Sequence, residues 1–355
     1  MGCYGDMRLL PVGLTAVLLL AGCTAAPAPS PAPTDTVEVT SGLAAPWSMV
    51  RLESGSTLIS ERDSATVKEL TADGDVRDLA TIDGVVPGGE GGLLGLESDG
   101  QFLFAYYTAA DDNRVERFHF KGSPGNYALG EGEVILDGLA KAGNHNGGRI
   151  KLGPDGALYV TVGDAGDPGR AQDLASNNGK ILRIETDGAI PADNPFPGSP
   201  VYSYGHRNPQ GLAWDDAGQL WAAEFGQDTW DEFNRIEPGG NYGWPVVEGM
   251  AGDPDYIDPI LEWGTDEASP SGLAYTDGAF FLASLRGERI WAIDPSGPSI
   301  TAVPALVGTY GRLRDVVPGP DGTVWILTNN TDGRGSPRTG DDRILQMPTD
   351  VLLRG

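Results

Sequence analysis

The sequence holds almost no cysteine: Cys3 and Cys23 are the only two in 355 residues, and both lie near the N-terminus. No disulfide can staple the rest of the chain, which must be stabilised by its core, with bound metal as a further aid. Basic residues are also short. Against 50 Asp and Glu stand 24 Lys and Arg, a formal net charge of -26. That balance excludes nucleic acid, whose recognition needs basic stripes, and electrostatic adhesion to anionic lipid. Most of the acidic surplus reads as solubilising charge, and a minority of the carboxylates is available to hold calcium. Histidine is scarcer still, with His119, His145 and His206 the only three. Long amphipathic helical patterns are missing, and short β-branched and aromatic runs alternate with turn residues instead, as in an all-β fold.

Leu9 to Leu20 form an apolar stretch behind Arg8, too short to span a bilayer in a mature protein. It ends Leu20-Ala21-Gly22-Cys23, the pattern of a bacterial lipobox with a cysteine that takes a lipid. Residues 1–22 are expected to be a lipoprotein signal peptide, with Cys23 the lipidated residue. An ordinary secretory signal is the alternative. Met7 is a second candidate start, because Met1 to Asp6 add an acidic residue and nothing typical of a leader. Alternating Ala and Pro follow, so residues 23–36 read as a polyproline-like linker. The expected location is the cell envelope, extracytoplasmic, with the membrane reached through the lipid anchor only.

The remainder, residues 37–355, is ample for a core and fits one large all-β domain or two smaller ones. A small turn, usually Asp-Gly, recurs ahead of a run of strand formers. It occurs at Ser54-Gly55, Asp99-Gly100, Asp155-Gly156, Ala217-Gly218, Asp277-Gly278 and Asp321-Gly322. Asp-Gly supplies the positive φ that a tight hairpin needs. A spacing of roughly 45 to 60 residues suits one four-stranded propeller blade. The six copies predict a six-bladed β-propeller, with a β-sandwich as the competing fold. A strand near Thr36 to Val39 is expected to complete the last blade and close the ring.

Four segments carry chemistry. His145 lies in Gly143-Asn144-His145-Asn146-Gly147-Gly148-Arg149, where glycines allow close approach to a ligand and imidazole suits a general base. Tyr204-Gly205-His206-Arg207-Asn208-Pro209 brings a planar cation and an amide together. His206, like His145, is expected over the channel mouth, whereas His119 between two phenylalanines reads as structural. Glu224 to Glu232, followed by Gly240-Asn241-Tyr242-Gly243-Trp244, offers carboxylates and exposed carbonyls to a hard cation, or is a solvated acidic loop. Arg312 and Arg314, two apart on a strand, point to one face. They await a polyanionic ligand or pair with nearby carboxylates.

The ordered set Gly91-Gly92-Leu93-Leu94-Gly95, His145 to Arg149, Gly179 to Arg183, Tyr204 to Leu212, Asn241 to Pro245 and Gly311 to Asp315 resembles the glucose/sorbosone dehydrogenase family. That family includes soluble dehydrogenases dependent on pyrroloquinoline quinone (PQQ). The resemblance runs from about Gly42 to Ile344 and rests on the order of the motifs rather than on any one. It implies a six-bladed propeller that oxidises aldose sugars to lactones with PQQ and Ca2+. His145 matches the general base and Arg207 the residue that stabilises charge on the quinone oxygen. Asn208 matches a cofactor contact, and Arg286, Arg312 and Arg314 would clamp the three PQQ carboxylates. The carbonyls of Gly226 and Gln227 match ligands of the catalytic calcium. Asp231, Glu232 and the Tyr242 carbonyl match a second calcium site in some members. Glu90 stands where the family usually has Gln and is assigned to the sugar. Asn144 and Gln227 are further departures. The expected partners are a sugar and an envelope electron acceptor. The alternatives are a non-catalytic surface lipoprotein that binds glycans or a protein through the propeller face, and a calcium-dependent lactone or ester hydrolase.

Overall fold

Each Asp-Gly-type turn closes the hairpin between the first and second strands of a four-stranded sheet. The structure is a computed structural model, described for residues 1–2, 35–297 and 299–355. The expected signal peptide, Cys23 and the linker up to residue 34 lie outside the described residues. The six turn glycines have φ between 69° and 90°, which a residue with a Cβ adopts only under strain. All six repeats therefore fall at the same place in the architecture, and the β-sandwich alternative is excluded.

Six antiparallel four-stranded sheets make up the fold. Blades one to five span residues 46–81, 93–139, 150–204, 209–264 and 270–305. Blade six takes three strands from residues 313–348, and its fourth, outermost strand is Val37–Thr40, paired antiparallel to Ile344–Pro348. The chain thus closes the ring with its first strand, as expected. The innermost strands are Pro46–Arg51, Leu93–Ser98, Ile150–Leu152, Pro209–Trp214, Pro270–Thr276 and Leu313–Pro318. Each lies against the innermost strands of both neighbouring blades, so the ring is continuous. Helix is confined to two single turns among the described residues, Gly169–Gln172 and Thr349–Leu352.

The apolar core lies between blades. Phe281 and Ile290 of blade five pack with Val316, Ile326 and Met347 of blade six. Trp47 of blade one joins Phe104 of blade two and Val160 of blade three. The hub is polar. Arg149, 1% exposed, donates from Nη1 to Asp315 of blade six at 3.0 Å and to Ser48 of blade one at 3.2 Å. Its Nε donates to the Gln210 carbonyl of blade four at 2.9 Å, and its guanidinium lies 4.4 Å from the Trp47 ring centroid. A buried ion pair of this kind is favoured by partners for its other lone pairs and protons; Arg149 Nη2 has none among the described residues, so the acceptors on Nη1 and Nε carry the guanidinium. The Asp315 carboxylate also accepts the Met49 N–H at 2.9 Å.

Candidate functional site

Antiparallel pairing sends the start of every inner strand, and the end of every second strand, to one end of the ring. The Asp-Gly turns lie at the other end. Glu90, His145, Arg207, Asn208 and Arg312 all precede or open inner strands, while Asp164, Gly226 and Arg286 follow second strands. They therefore converge, although they are spread over most of the sequence.

A cavity of about 330 Å³ opens at this end, lined by Glu90, Arg286 and Arg312 of this set but not by His145, Arg207, Asn208, Asp164 or Gly226. Trp47, Gln210, Phe225 and Glu90 line it together with five arginines: Arg62, Arg286, Arg312, Arg314 and Arg334. Five guanidiniums in one cavity contrast with a chain of net charge -26. Two are neutralised one to one, Arg62 by Asp63 at 2.6 Å and Arg334 by Glu90 at 2.8 Å. The other three have far less. Arg312 and Arg314 share the single buried carboxylate of Asp332, at 3.1 and 3.8 Å. Arg286 is exposed and has no side-chain partner among the described residues. The Nε atoms of Arg312 and Arg314 are buried without a hydrogen-bond acceptor. Burial pulls the Arg314 pKa below its ordinary value; Asp332 opposes the shift, and Arg312 and Arg62 add to it. Pairing with carboxylates thus explains only part of the arginine set. Orphaned buried donors around an open cavity fit a ligand with several anionic groups.

His145 is tied to the cavity wall through Glu90, which accepts its N–H at 3.0 Å. Its Nδ1 lies 2.7 Å from Asp164 Oδ1, and Asp164 Oδ2 accepts the Trp244 Nε1–H at 2.9 Å. The Gly166 N–H also donates to Asp164, at 2.7 Å. Burial pushes the Asp164 pKa up, but the bonds from His145, Gly166 and Trp244 outweigh it and the net shift is downward. Ionised Asp164 can only accept, so Nδ1 carries the imidazole proton and Nε2 keeps its lone pair. Sequence reasoning missed Asp164. The signal was there in Gly163-Asp164-Ala165-Gly166, a glycine-flanked acid directly after a second strand. Trp47, Arg62, Trp244 and Arg334 were missed as well.

Arg207 is half-buried above Trp244, 5.5 Å from the ring centroid. Its Nη1 donates to the Phe225 carbonyl at 3.3 Å, its Nε is a buried orphan, and its backbone N–H is bonded to Glu224. Desolvation lowers its pKa, against the pull of Asp164 and Glu224. Asn208 is buried, and its Oδ1 accepts the Gly147 N–H at 3.0 Å. That bond fixes the loop carrying His145, and no acceptor for the Asn208 Nδ2 is seen among the described residues. His206 is not over the mouth as expected. It is fully buried between Glu224 of blade four at 2.7 Å and Ser203 of blade three at 2.8 Å and stacks on Tyr242, because its polar atoms find partners at the seam between these two blades. His119 lies on a strand against Phe102, a structural place.

The expected metal ligands are partly gathered. A hole of about 10 Å³, the size of one small ion or water, lies among Glu224, Gly226, Glu232, Tyr242 and Glu248. Burial, followed by repulsion from Glu224, pushes Glu232 up to about 8. Burial raises Asp231 to about 6, but both its oxygens hold backbone N–H groups, of Gly226 at 2.9 Å and Ser269 at 2.6 Å. Gln227 lies in a loop whose N–H groups converge on Glu248 Oε1, from 2.6 to 3.2 Å. Among the described residues, no three His, Cys, Asp or Glu side chains are grouped so that they could hold a metal ion. A cation here would depend on backbone carbonyls. A desolvated Glu232, raised by burial and then by the neighbouring Glu224, fits that role.

The profile of the glucose/sorbosone dehydrogenase family matches residues 43–344. The PQQ-bound form of an aldose sugar dehydrogenase from Streptomyces coelicolor superposes with a TM-score of 0.84 at 47% identity, covering 90% of this chain and 99% of that one. An uncharacterised protein of Synechocystis sp., slr1608, is 36% identical over 84% of this chain and 84% of its own length. The Escherichia coli aldose sugar dehydrogenase YliI is 32% identical, over 55% of this chain and 61% of its own. With the family profile running through all six blades, the chain belongs to the glucose/sorbosone dehydrogenase family.

Proposed function

We propose that the protein oxidises aldose sugars to lactones with bound PQQ and Ca2+. The observation that carries this reading is the His145–Asp164 pair beside a cavity whose three under-neutralised arginines match a tricarboxylate. The PQQ-bound relative from Streptomyces coelicolor supports it.

Arg286, Arg312 and Arg314 would hold the three carboxylates, and the Asn208 amide would add a donor. The Gly226 and Gln227 carbonyls would reach the catalytic calcium. Glu232 and the Tyr242 carbonyl would serve a second calcium, with Asp231 supporting the loop rather than ligating. When bound, the quinone supplies a carbon that accepts hydride, polarised by the metal as a Lewis acid. The bare Nε2 of His145 takes the proton of the anomeric hydroxyl as its hydrogen leaves the carbon with the electron pair. Asp164 stabilises the imidazolium that forms. Arg207 would stabilise negative charge on the oxygen of a bound quinone. The expected electron acceptor is an envelope partner. The non-catalytic alternative rested on the Glu90 departure and the lipid anchor, and the first is weakened because Glu90 is paired with Arg334. Fold analogy alone spoke for a hydrolase.

The test is reconstitution. Residues 24–355 with PQQ and Ca2+ should reduce an artificial dye in the presence of aldoses, and lose that activity on chelation. A folded protein that neither binds PQQ nor turns over would refute the reading. Anchoring through Cys23 belongs to the same proposal. C23A should move the protein from the membrane fraction to the soluble extracytoplasmic fraction, and unchanged fractionation would count against the anchor.

A further inference from the structure

Glu90 does more than line the cavity. Its Oε2 accepts the His145 N–H at 3.0 Å, and its own N–H donates to the Gly143 carbonyl at 2.9 Å. The two loops touch so closely that a Cβ at Gly89 would lie 2.1 Å from the Gly143 oxygen. They cannot slide past one another. His145 itself has φ 56°, a left-handed conformation that a side-chain-bearing residue adopts only when its surroundings hold it. Several bonds hold it there: its carbonyl accepts the Ala165 N–H at 3.2 Å, Asp164 holds its ring, and Glu90 takes its N–H, the bond that ties it to a different loop.

The second oxygen of Glu90 reaches across the mouth. Oε1 accepts Arg334 Nη1 at 2.8 Å, from the loop behind blade six, 244 residues away in sequence. The Arg334 N–H donates to Asp332 Oδ1 at 2.9 Å, and Asp332 is the carboxylate shared by Arg312 and Arg314. One polar chain therefore runs from the cofactor-side arginines through Asp332, Arg334 and Glu90 to His145 and on to Asp164. Glutamate suits this place better than the glutamine usual in the family. A carboxylate accepts from both the His145 amide and the Arg334 guanidinium, whereas an amide must turn one of its two ends outward as a donor.

We propose that Glu90 is a positioning residue that locks the backbone of His145, and that Arg334 completes the device by fixing the Glu90 carboxylate across the mouth. The inference rests on His145 being the base. Burial favours a neutral Glu90, but Arg334 and the His145 N–H outweigh it and keep the carboxylate ionised.

Three variants test the device: E90A, E90Q and R334A. Misplacing a base by a fraction of an ångström to an ångström is worth up to about 100-fold. In the reconstituted holoenzyme, E90A should lower kcat by about 10- to 100-fold and leave KM within about threefold. E90Q keeps an acceptor for the His145 amide and should lose no more than about fivefold. R334A should fall between them. The second readout needs no cofactor. In the cofactor-free protein, exchange of the His145 amide followed by NMR should quicken at least about tenfold in E90A and stay near wild type in E90Q. Equal protection of that amide in wild type and E90A overturns the inference whether or not the enzyme turns over sugar. A kcat for E90A within about twofold of an active wild type overturns it too, as does E90Q impaired as deeply as E90A. A wild type that binds no PQQ refutes the proposed function, and the exchange measurement still decides on Glu90.

Discussion

Asp164→Asn is nearly isosteric, yet the structure gives it no good pose. Oδ1 accepts from both His145 and Gly166, at 2.7 Å each, and Oδ2 accepts from Trp244 at 2.9 Å. An asparagine has one acceptor for these three donors. With its oxygen toward His145, its NH2 meets the Trp244 Nε1–H, donor against donor. With its oxygen toward Trp244, its NH2 faces Gly166 and forces His145 to accept at Nδ1. The proton then moves to Nε2, and the lone pair that should take the substrate proton is gone. A buried donor without an acceptor costs about 1–3 kcal/mol, so the first pose lowers stability by that much. Loss of the charge that stabilises imidazolium adds about 1.5–3 kcal/mol to the barrier, about 10- to 150-fold in kcat. The wrong tautomer costs more. Dye-linked sugar oxidation by the PQQ- and Ca2+-loaded variant should therefore fall at least about tenfold in kcat with KM little changed. A D164N enzyme within about threefold of wild type would refute the argument that Asp164 sets the His145 tautomer.

Three further outcomes follow from the same geometry. Asp315→Ala leaves Arg149 buried without its carboxylate and should cost about 3–5 kcal/mol in chemical denaturation; a loss below about 1 kcal/mol would show that the hub does not need the ion pair. Replacing Arg312 and Arg314 together with Met should weaken PQQ binding in calorimetry at least about 100-fold, while the cofactor-free fold persists. Unchanged affinity would remove these arginines from the clamp. Glu90, Asp164 and Asp332 all have pKa values below their usual 4.5, 3.8 and 3.8. A depressed carboxylate contributes stability above its unfolded pKa and loses it as pH falls through the folded value. The Tm of the cofactor-free protein should thus hold above about pH 4.5 and drop below it, less steeply in D332N. An acid limb equally steep in D332N would contradict the role given to Asp332.

Much of this was legible in the sequence, and the reason is local. The turn at Asp321-Gly322 and its five counterparts obey short-range backbone rules, so the blade count followed from spacing alone. The site was legible where a residue type is rare against its background, as with three histidines and a pair of arginines in an acidic chain. It was illegible where partners come from distant blades. Asp164 is one aspartate among many until the ring brings it to His145. Arg334 is an ordinary loop arginine until blade six closes beside the loop that carries Glu90. His206 misled for a different reason: its glycine-rich flanks suggested a ligand loop, but Ser203 of blade three and Glu224 of blade four, close to it in sequence, absorb both ring nitrogens.

Repeat architectures usually tolerate loss, gain and exchange of their units, because each unit touches only its neighbours. The guanidinium at the hub breaks that rule. Arg149 belongs to blade three but answers to blades one, four and six at once. A transplanted blade three would strand or orphan a charge at the centre, and a five- or seven-fold variant would have nowhere to put it. Recombination between relatives is therefore tolerable only at crossovers that carry Ser48, Arg149 and Asp315 together. New termini, by contrast, can be cut into the rim hairpins without touching the hub. A single salt bridge thus turns a string of similar modules into one indivisible inheritance.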